Sequence, residues 1–92
     1  MAFLVLSHQH QMNLIRDIIN SHQSDGTARL AEFEQLYRSA NSLITQQQAN
    51  HQLNQTLQSI SSYSEQAMNL NTYDGHLQNN KNNFQGWLDT LQ

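Results

Sequence analysis

Histidines are the side chains of this 92-residue chain that could bind a transition metal, because the chain contains no cysteine. Two of the five, His8 and His10, are two positions apart, which places them on different sides of a helix. Neither a His-x-x-x-His nor a Glu-x-x-His pair occurs, and these are the spacings of helical metal sites. We therefore expect no metal ion and no cofactor.

A polar turn near residue 25 contains other side chains that could bind a ligand or take part in catalysis. His22, Asp25 and Thr27 lie close enough in sequence to bind a small ligand or to support an enzymatic site. Tyr63 or His76 would contribute if the fold brings either of them near. The alternative is structural: His22, near the C-terminal end of a helix, would interact with exposed carbonyl groups and the helix dipole, which favours its protonated form. The structural alternative is the simpler one.

General acid-base catalysis needs two titratable groups in one cleft, and the carboxylates of this chain show no such pairing. Most of the seven fall on the polar sides of predicted helices, and Glu32 and Glu34 are not neighbours on a helix surface. No nucleophile elbow, phosphate loop, dinucleotide fingerprint or calcium loop occurs. We therefore predict no catalytic residues and no enzymatic activity.

Aromatic side chains could serve either the core or an interface. Tyr37, Tyr63 and Tyr73 fall on or beside apolar stripes, as does Trp87, so packing is their expected role. If Trp87 and Phe84 instead lie on an exposed face, they are the best candidates for an anchor in a protein interface. The sequence leaves this choice open.

The amino-acid composition of the chain limits the classes of partner that it is expected to bind. Charged residues make up only 12% of the chain, which instead contains 14 Gln and 11 Asn, and the net charge is −3. The four basic residues are scattered, so neither nucleic acid nor an anionic membrane surface is an expected partner. The apolar run at residues 1–6 is too short for a signal peptide or a membrane span. We expect a cytoplasmic location.

Helical spacing of apolar residues recurs throughout, and no proline interrupts it. The pattern predicts four helices, over residues 7–22, 28–46, 50–66 and 72–91. The second is the clearest, because its apolar residues follow one another at spacings of three and four. These residues are Leu30, Phe33, Tyr37, Ala40 and Ile44.

Local signals set the helix ends. Ser7 and Thr27 are candidate N-caps for the first two helices, and the Ser-Asp-Gly sequence at 24–26 is a stop signal. Asn71 followed by Asp74 resembles a capping box for the last helix. The third helix is rich in serine in its second half, which predicts fraying or bending there.

Four amphipathic helices with short connections predict an all-α fold, an up-down-up-down four-helix bundle that forms a single helical domain over residues 1–92. The alternative is a three-helix core that is completed by dimerisation. A disordered Gln/Asn-rich segment is a third interpretation, which the continuous apolar periodicity disfavours.

Several short motifs also resemble a known family. They are Ile18-Ile19-Asn20-Ser21-His22-Gln23-Ser24-Asp25, Gly26-Thr27, Glu34-Gln35-Leu36 and Ser62-Tyr63-Ser64. Together they look like the YtzH-like family, small proteins of Bacillus-type bacteria with about this length. The resemblance spans most of the chain and implies a cytoplasmic bacterial protein with no assigned activity.

Two hypotheses for function follow. The first is a protein-interaction module that presents an apolar or Gln/Asn-rich face to a second copy or to another protein. Small size, helicity, low charge and the missing catalytic motifs favour it. The second is a ligand-binding or enzymatic role for the turn around His22, Asp25 and Thr27, which predicts a concave polar pocket containing at least two of the candidate side chains.

Overall fold

The computed structural model describes residues 8–46 and 51–91, and four α-helices make up most of both ranges. They are α1 (His8–Asp25), α2 (Leu30–Gln46), α3 (His51–Ala67) and α4 (Asp74–Leu91). The described ranges contain no strand, so the predicted all-α class is confirmed. Ser7, the predicted cap of the first helix, lies outside the described residues. None of the helices described is both long and apolar enough to cross a membrane.

The four helices pack in a closed ring. Helix α1 packs against α2 and α4, and α3 packs against the same two helices. The pairs α1–α3 and α2–α4 lie diagonally across the core. With short connections between successive helices, this is the predicted up-down-up-down bundle. Helix α4 of the same chain closes the core, so the described helices do not form a three-helix core that needs a second chain.

Apolar side chains from all four helices fill the centre. The predicted stripe on α2 is buried at Phe33 and Ala40, with Leu36 and Leu43 beside it. Burial of each phenylalanine or leucine side chain of this set contributes about 1.5–3 kcal/mol. Leu30 was expected to continue this stripe, but 46% of it is exposed. It is the first residue of α2 and therefore lies beyond the packed part of the core.

Helix α1 ends at the predicted stop signal, but the bounds of α1 and α2 differ from the predicted ones. Gly26 adopts a positive φ of 67°, and its N–H donates to the carbonyl oxygen of His22 at 3.2 Å, which is an αL cap. Helix α1 therefore continues to Asp25 instead of ending at 22. Thr27 does not cap α2: the Glu32 carboxylate reaches back to the N–H of Arg29, the N-cap, at 3.0 Å.

The later helices also differ in detail from their predictions. The first hydrogen bond of α4 runs from the Leu77 N–H to the Tyr73 carbonyl oxygen at 2.9 Å, so Tyr73 is the N-cap in place of Asn71. Helix α3 is continuous through its serine-rich half, without the expected fraying. The buried Ser64 hydroxyl donates to the Ile60 carbonyl at 2.8 Å, which satisfies it within its own helix.

Candidate functional site

A hydrogen-bonded chain of polar side chains lies inside the bundle. The His22 ring on α1 is 1% exposed, and its Nδ1 lies 2.8 Å from the Tyr63 hydroxyl on α3. Its Nε2 lies 3.2 Å from Oε1 of Glu32 at the start of α2. Because a carboxylate only accepts hydrogen bonds, Nε2 carries the ring proton, and Nδ1 accepts the O–H of Tyr63.

Helix α4 completes this arrangement through His76. Its Nε2–H donates to the Tyr63 backbone carbonyl at 2.8 Å, and its ring stacks on the Tyr63 ring with centroids 4.8 Å apart and an interplanar angle of 10°. His22, Glu32, Tyr63 and His76 are called the interior network below. Each of the four helices contributes one member, so the network fixes the relative positions of all four.

Burial shifts the pKa values of His22 and Tyr63 in opposite directions. It lowers the pKa of His22 below the ordinary 6.5, although the hydrogen bond and charge of Glu32 act in the opposite direction. Burial also raises the pKa of Tyr63 far above its ordinary value, and the charge of Glu32 adds to this effect. The prediction that His22 is held protonated by a helix end is therefore wrong, because the ring points into the core instead of toward the last carbonyl groups.

The order carboxylate, imidazole, hydroxyl is also that of a hydrolytic triad. Here, however, the Tyr63 side chain is buried, with 2% exposed, and its hydroxyl points inward to His22. Phe33 and Phe84 pack beside the His22 ring, with centroids 5.1 and 6.3 Å away. The hydroxyl is therefore held inside the bundle in this conformation, and the three groups form an internal chain of hydrogen bonds.

Sequence reasoning placed His22 and Tyr63 among the candidates but missed their direct contact and the part played by Glu32. One signal was present. His22 lies three positions after Ile19 and seven after Ile15, so it continues the buried stripe of α1. Glu32 lies four positions before the buried Leu36, at the edge of the core face of α2.

The polar turn forms a groove of about 460 Å³ between the end of α1 and the start of α4. His22 and Asp25 both line it, as the ligand hypothesis requires, together with Asp74 and Lys81. Thr27, Tyr63 and His76 are not among its lining residues. Both ring nitrogens of His22 are bonded inside the bundle, so neither is free to bind a ligand there. Across the described ranges, no three His, Asp or Glu side chains are grouped to hold a metal ion.

A larger groove of about 630 Å³ runs between α3 and α4, and it is called the α3/α4 groove below. Its α3 wall consists of amide and hydroxyl side chains, its α4 wall contains Asn80 and Asn83, and Tyr63 and Trp87 lie at its floor. The α3 wall is made of Gln55, Gln58, Ser59, Ser62 and Gln66. Among the residues that the structure describes, no Asp, Glu, Lys, Arg or His lines this groove.

The two candidate anchors from the sequence are core residues. Phe84 is 1% exposed and Trp87 is 9% exposed, with their ring centroids 5.8 Å apart. Phe84 therefore presents no surface for a partner, and Trp87 contributes only an edge to the floor of the α3/α4 groove. This decides the choice between core and exposed face that the sequence left open.

The family model of the YtzH-like protein matches residues 6–91. The chain belongs to the YtzH-like family. A relative, the "Uncharacterized protein YtzH" of Bacillus subtilis (strain 168), is 29% identical over 86 residues, which cover 94% of each chain. No solved structure matches the chain. The resemblance inferred from the short motifs is confirmed.

Proposed function

We propose that this protein is a non-catalytic interaction module that associates with a second copy of itself through the α3/α4 groove. The observation that carries the proposal is the uncharged lining of the α3/α4 groove. Its α3 wall follows helical spacing, with Gln55, Ser59, Ser62 and Gln66 four, three and four positions apart. The stripe is therefore continuous along the helix and suits a partner that lies along it.

Amide and hydroxyl groups suit a symmetric interface. In a two-fold dimer each side chain near the axis meets its own copy, so a charged group there meets the same charge. An amide both donates and accepts hydrogen bonds and can therefore pair with its own copy. The whole chain carries a net charge of −3, which opposes self-association through its charged faces. The α3/α4 groove avoids that repulsion.

The size of this face is also adequate. Helix α3 has 17 residues and α4 has 18. At 1.5 Å per residue and about 10 Å per helix width, two such helices present a face about 26 Å long and 20 Å wide. Its planar area is roughly 500 Å² per chain, so two chains would bury about 1,000 Å² in total, which is the lower limit for a specific interface.

The ligand-binding or enzymatic alternative has less support. Of its candidate residues, only His22 and Asp25 share a groove, and the nitrogens of His22 are bonded elsewhere. The absence of catalysis, the absence of nucleic-acid and membrane partners, and the cytoplasmic location stay predictions from the sequence.

Sedimentation velocity of the full chain over a range of concentrations tests the proposal. Asn83→Glu places one negative charge in each groove of the dimer, so we expect its dissociation constant to rise at least about tenfold. Asn82→Glu is the matched control, because it adds the same charge at the exposed neighbouring position, which does not line the groove. We expect it to dimerise like the wild type.

Two results would contradict the proposal. One is a wild-type chain that stays monomeric at millimolar concentration. The other is equal weakening by Asn83→Glu and Asn82→Glu, which would attribute the effect to net charge and remove the role of the groove. If a different protein occupies the groove, the wild type is monomeric and the self-association proposal fails.

A further inference from the structure

Tyr63 belongs to both the interior network and the α3/α4 groove. Its hydroxyl donates to Nδ1 of His22 at 2.8 Å, while its ring forms part of the groove floor beside Trp87, with centroids 5.3 Å apart. The hydrogen bond that holds the hydroxyl inside the bundle therefore also sets the position of the groove floor. A change in the hydrogen bonding of His22 therefore affects the groove through the side chain of Tyr63.

Titratable and charged groups face His22 from every helix packed around it. Glu32 approaches from α2, Tyr63 from α3 and His76 from α4, and a proton on His76 disfavours one on His22. The charged side chains Asp25, Asp74 and Lys81 line the turn groove with His22. Because His22 borders that groove and Glu32 is 31% exposed, solvent protons can reach the ring from the end of the bundle.

Protonation of His22 removes the acceptor of Tyr63. The added proton fills the lone pair on Nδ1, since Nε2 already carries a proton toward Glu32. The Tyr63 O–H then faces another donor. Its oxygen can turn to accept from Nδ1–H, but for its own hydrogen no other acceptor among the described residues lies within hydrogen-bond distance in this conformation. A buried donor without an acceptor is unfavourable, so the hydroxyl is driven toward a new partner.

The surroundings restrict this movement. Phe33, Phe84 and His76 pack against the Tyr63 ring at centroid distances of 5.4, 5.5 and 4.8 Å, and Trp87 lies beside it at the groove floor, at 5.3 Å. The remaining side is the α3/α4 groove, where the amides of Gln66 and Asn80 offer acceptors. A Tyr63 ring that turns outward occupies the space that a partner would fill.

We propose that the interior network is a proton-controlled latch on the α3/α4 groove: protonation of His22 releases Tyr63 into the groove and weakens self-association. The effect on association rests on the proposed function, whereas the release of Tyr63 does not. The lowered pKa of His22 is consistent with a latch that is closed at neutral pH and opens in acid.

Fluorescence of Trp87 tests the release of Tyr63 directly, because Trp87 is the sole tryptophan of the chain and packs on the Tyr63 ring. On titration from pH 7.5 to 5.0 we expect a transition with a midpoint below 6.5 and no loss of far-ultraviolet circular dichroism. His22→Gln keeps a neutral group that can donate and accept, and it should abolish the transition. His51→Gln, at an exposed position on α3, is the control and should retain it.

Tyr63→Phe is a second test that does not depend on the folding of the His22 variant. Without the hydroxyl, protonation of His22 has nothing to release, so the fluorescence transition should disappear. Nitrogen-15 NMR of the wild-type imidazole groups adds an independent readout, in which the His22 resonances should titrate at the midpoint of the fluorescence change. A flat wild-type titration, or one that His22→Gln or Tyr63→Phe leaves unchanged, overturns the latch.

Sedimentation velocity at the two ends of this titration separates the latch from the proposed function. We expect the dissociation constant of the wild-type dimer to rise about tenfold in acid, which corresponds to about 1.4 kcal/mol, and that of His22→Gln to stay constant. If no dimer forms at any pH, the proposed function fails while the fluorescence result still decides the release of Tyr63. If a dimer forms and its dissociation constant is independent of pH, the latch fails and the proposed function stands.

Discussion

Replacing Tyr63 by phenylalanine tests whether the interior network stabilises the bundle. The substitution removes one oxygen atom from a side chain that is 2% exposed and keeps the ring contacts with Phe33 and Trp87. Its direct effect is on His22, whose Nδ1 loses the only hydrogen-bond donor that the structure places within reach of it. The change in packing therefore contributes little to the loss of stability, and the lost hydrogen bond contributes most of it.

The expected magnitude follows from burial. A buried acceptor that is left without a donor costs about 1–3 kcal/mol, and the side chain of His22 is fully buried. We expect Tyr63→Phe to lower the free energy of unfolding by about 2 kcal/mol at pH 7.5. For a domain of this size, each kcal/mol lowers the melting temperature by about 4–8 °C.

Urea unfolding followed by circular dichroism measures this change. Tyr37→Phe is the matched control, because Tyr37 on α2 is half-buried and lies outside the interior network. A surface change of this kind stays within about 0.5 kcal/mol. The double variant His22→Leu with Tyr63→Phe completes a cycle, and we expect it to be more stable than the sum of the single changes by about 0.5–3 kcal/mol.

A loss below about 0.5 kcal/mol for Tyr63→Phe, or a loss equal to that of Tyr37→Phe, would refute the reasoning. Strict additivity in the double-variant cycle would do so as well, since it would mean that the two side chains do not interact in solution.

Two further predictions concern pH and the glycines. In the unfolded chain His22 titrates near 6.5, whereas burial lowers its pKa in the folded state, so between these two pKa values the unfolded chain binds more protons. Stability is therefore complete above pH 6.5 and falls as the pH drops below it, and urea unfolding of His22→Gln should show a smaller loss over the same range. Gly26→Ala should cost about 1–2 kcal/mol because of the positive φ, whereas Gly86→Ala should stabilise α4 by up to about 1 kcal/mol, since a Cβ there meets no atom within 4 Å. Thermal unfolding of both variants checks the difference, and a stabilising Gly26→Ala would contradict the assigned cap.

Local sequence patterns were sufficient to predict the four helices of this fold. Apolar spacing predicted all four helices, and their bounds lie within three residues of the observed ones. The errors concern caps, because a cap depends on which of several neighbouring polar side chains turns back to the backbone. Thr27 had the preferred residue type, yet the carboxylate of Glu32 satisfies the N–H of Arg29 from inside the helix.

The interior network was harder to predict from the sequence than the helices. His22 and Tyr63 are 41 positions apart, so their contact depends on the rotation of α1 and α3 about their axes. The position of His22 on the Ile15–Ile19 stripe indicated burial. Its neighbours Ser24 and Asp25 suggested a polar surface turn instead, and the turn is exposed. The last turn of α1 therefore contains both a buried residue, His22, and the exposed residues Ser24 and Asp25. Residue type alone does not indicate which of these polar residues is buried.

The α3/α4 groove depends on a similar rotation. Burial of Leu57, Ile60 and Ser64 turns the stripe from Gln55 to Gln66 outward along one edge of α3. Tyr63 lies between these two faces, since it follows Ile60 by three positions and precedes Gln66 by three. A side chain at such a boundary can contact the interior with its tip and the surface with its ring. That placement links the His22 imidazole to the uncharged α3/α4 groove, and moving the tyrosine by one position in either direction would break the link.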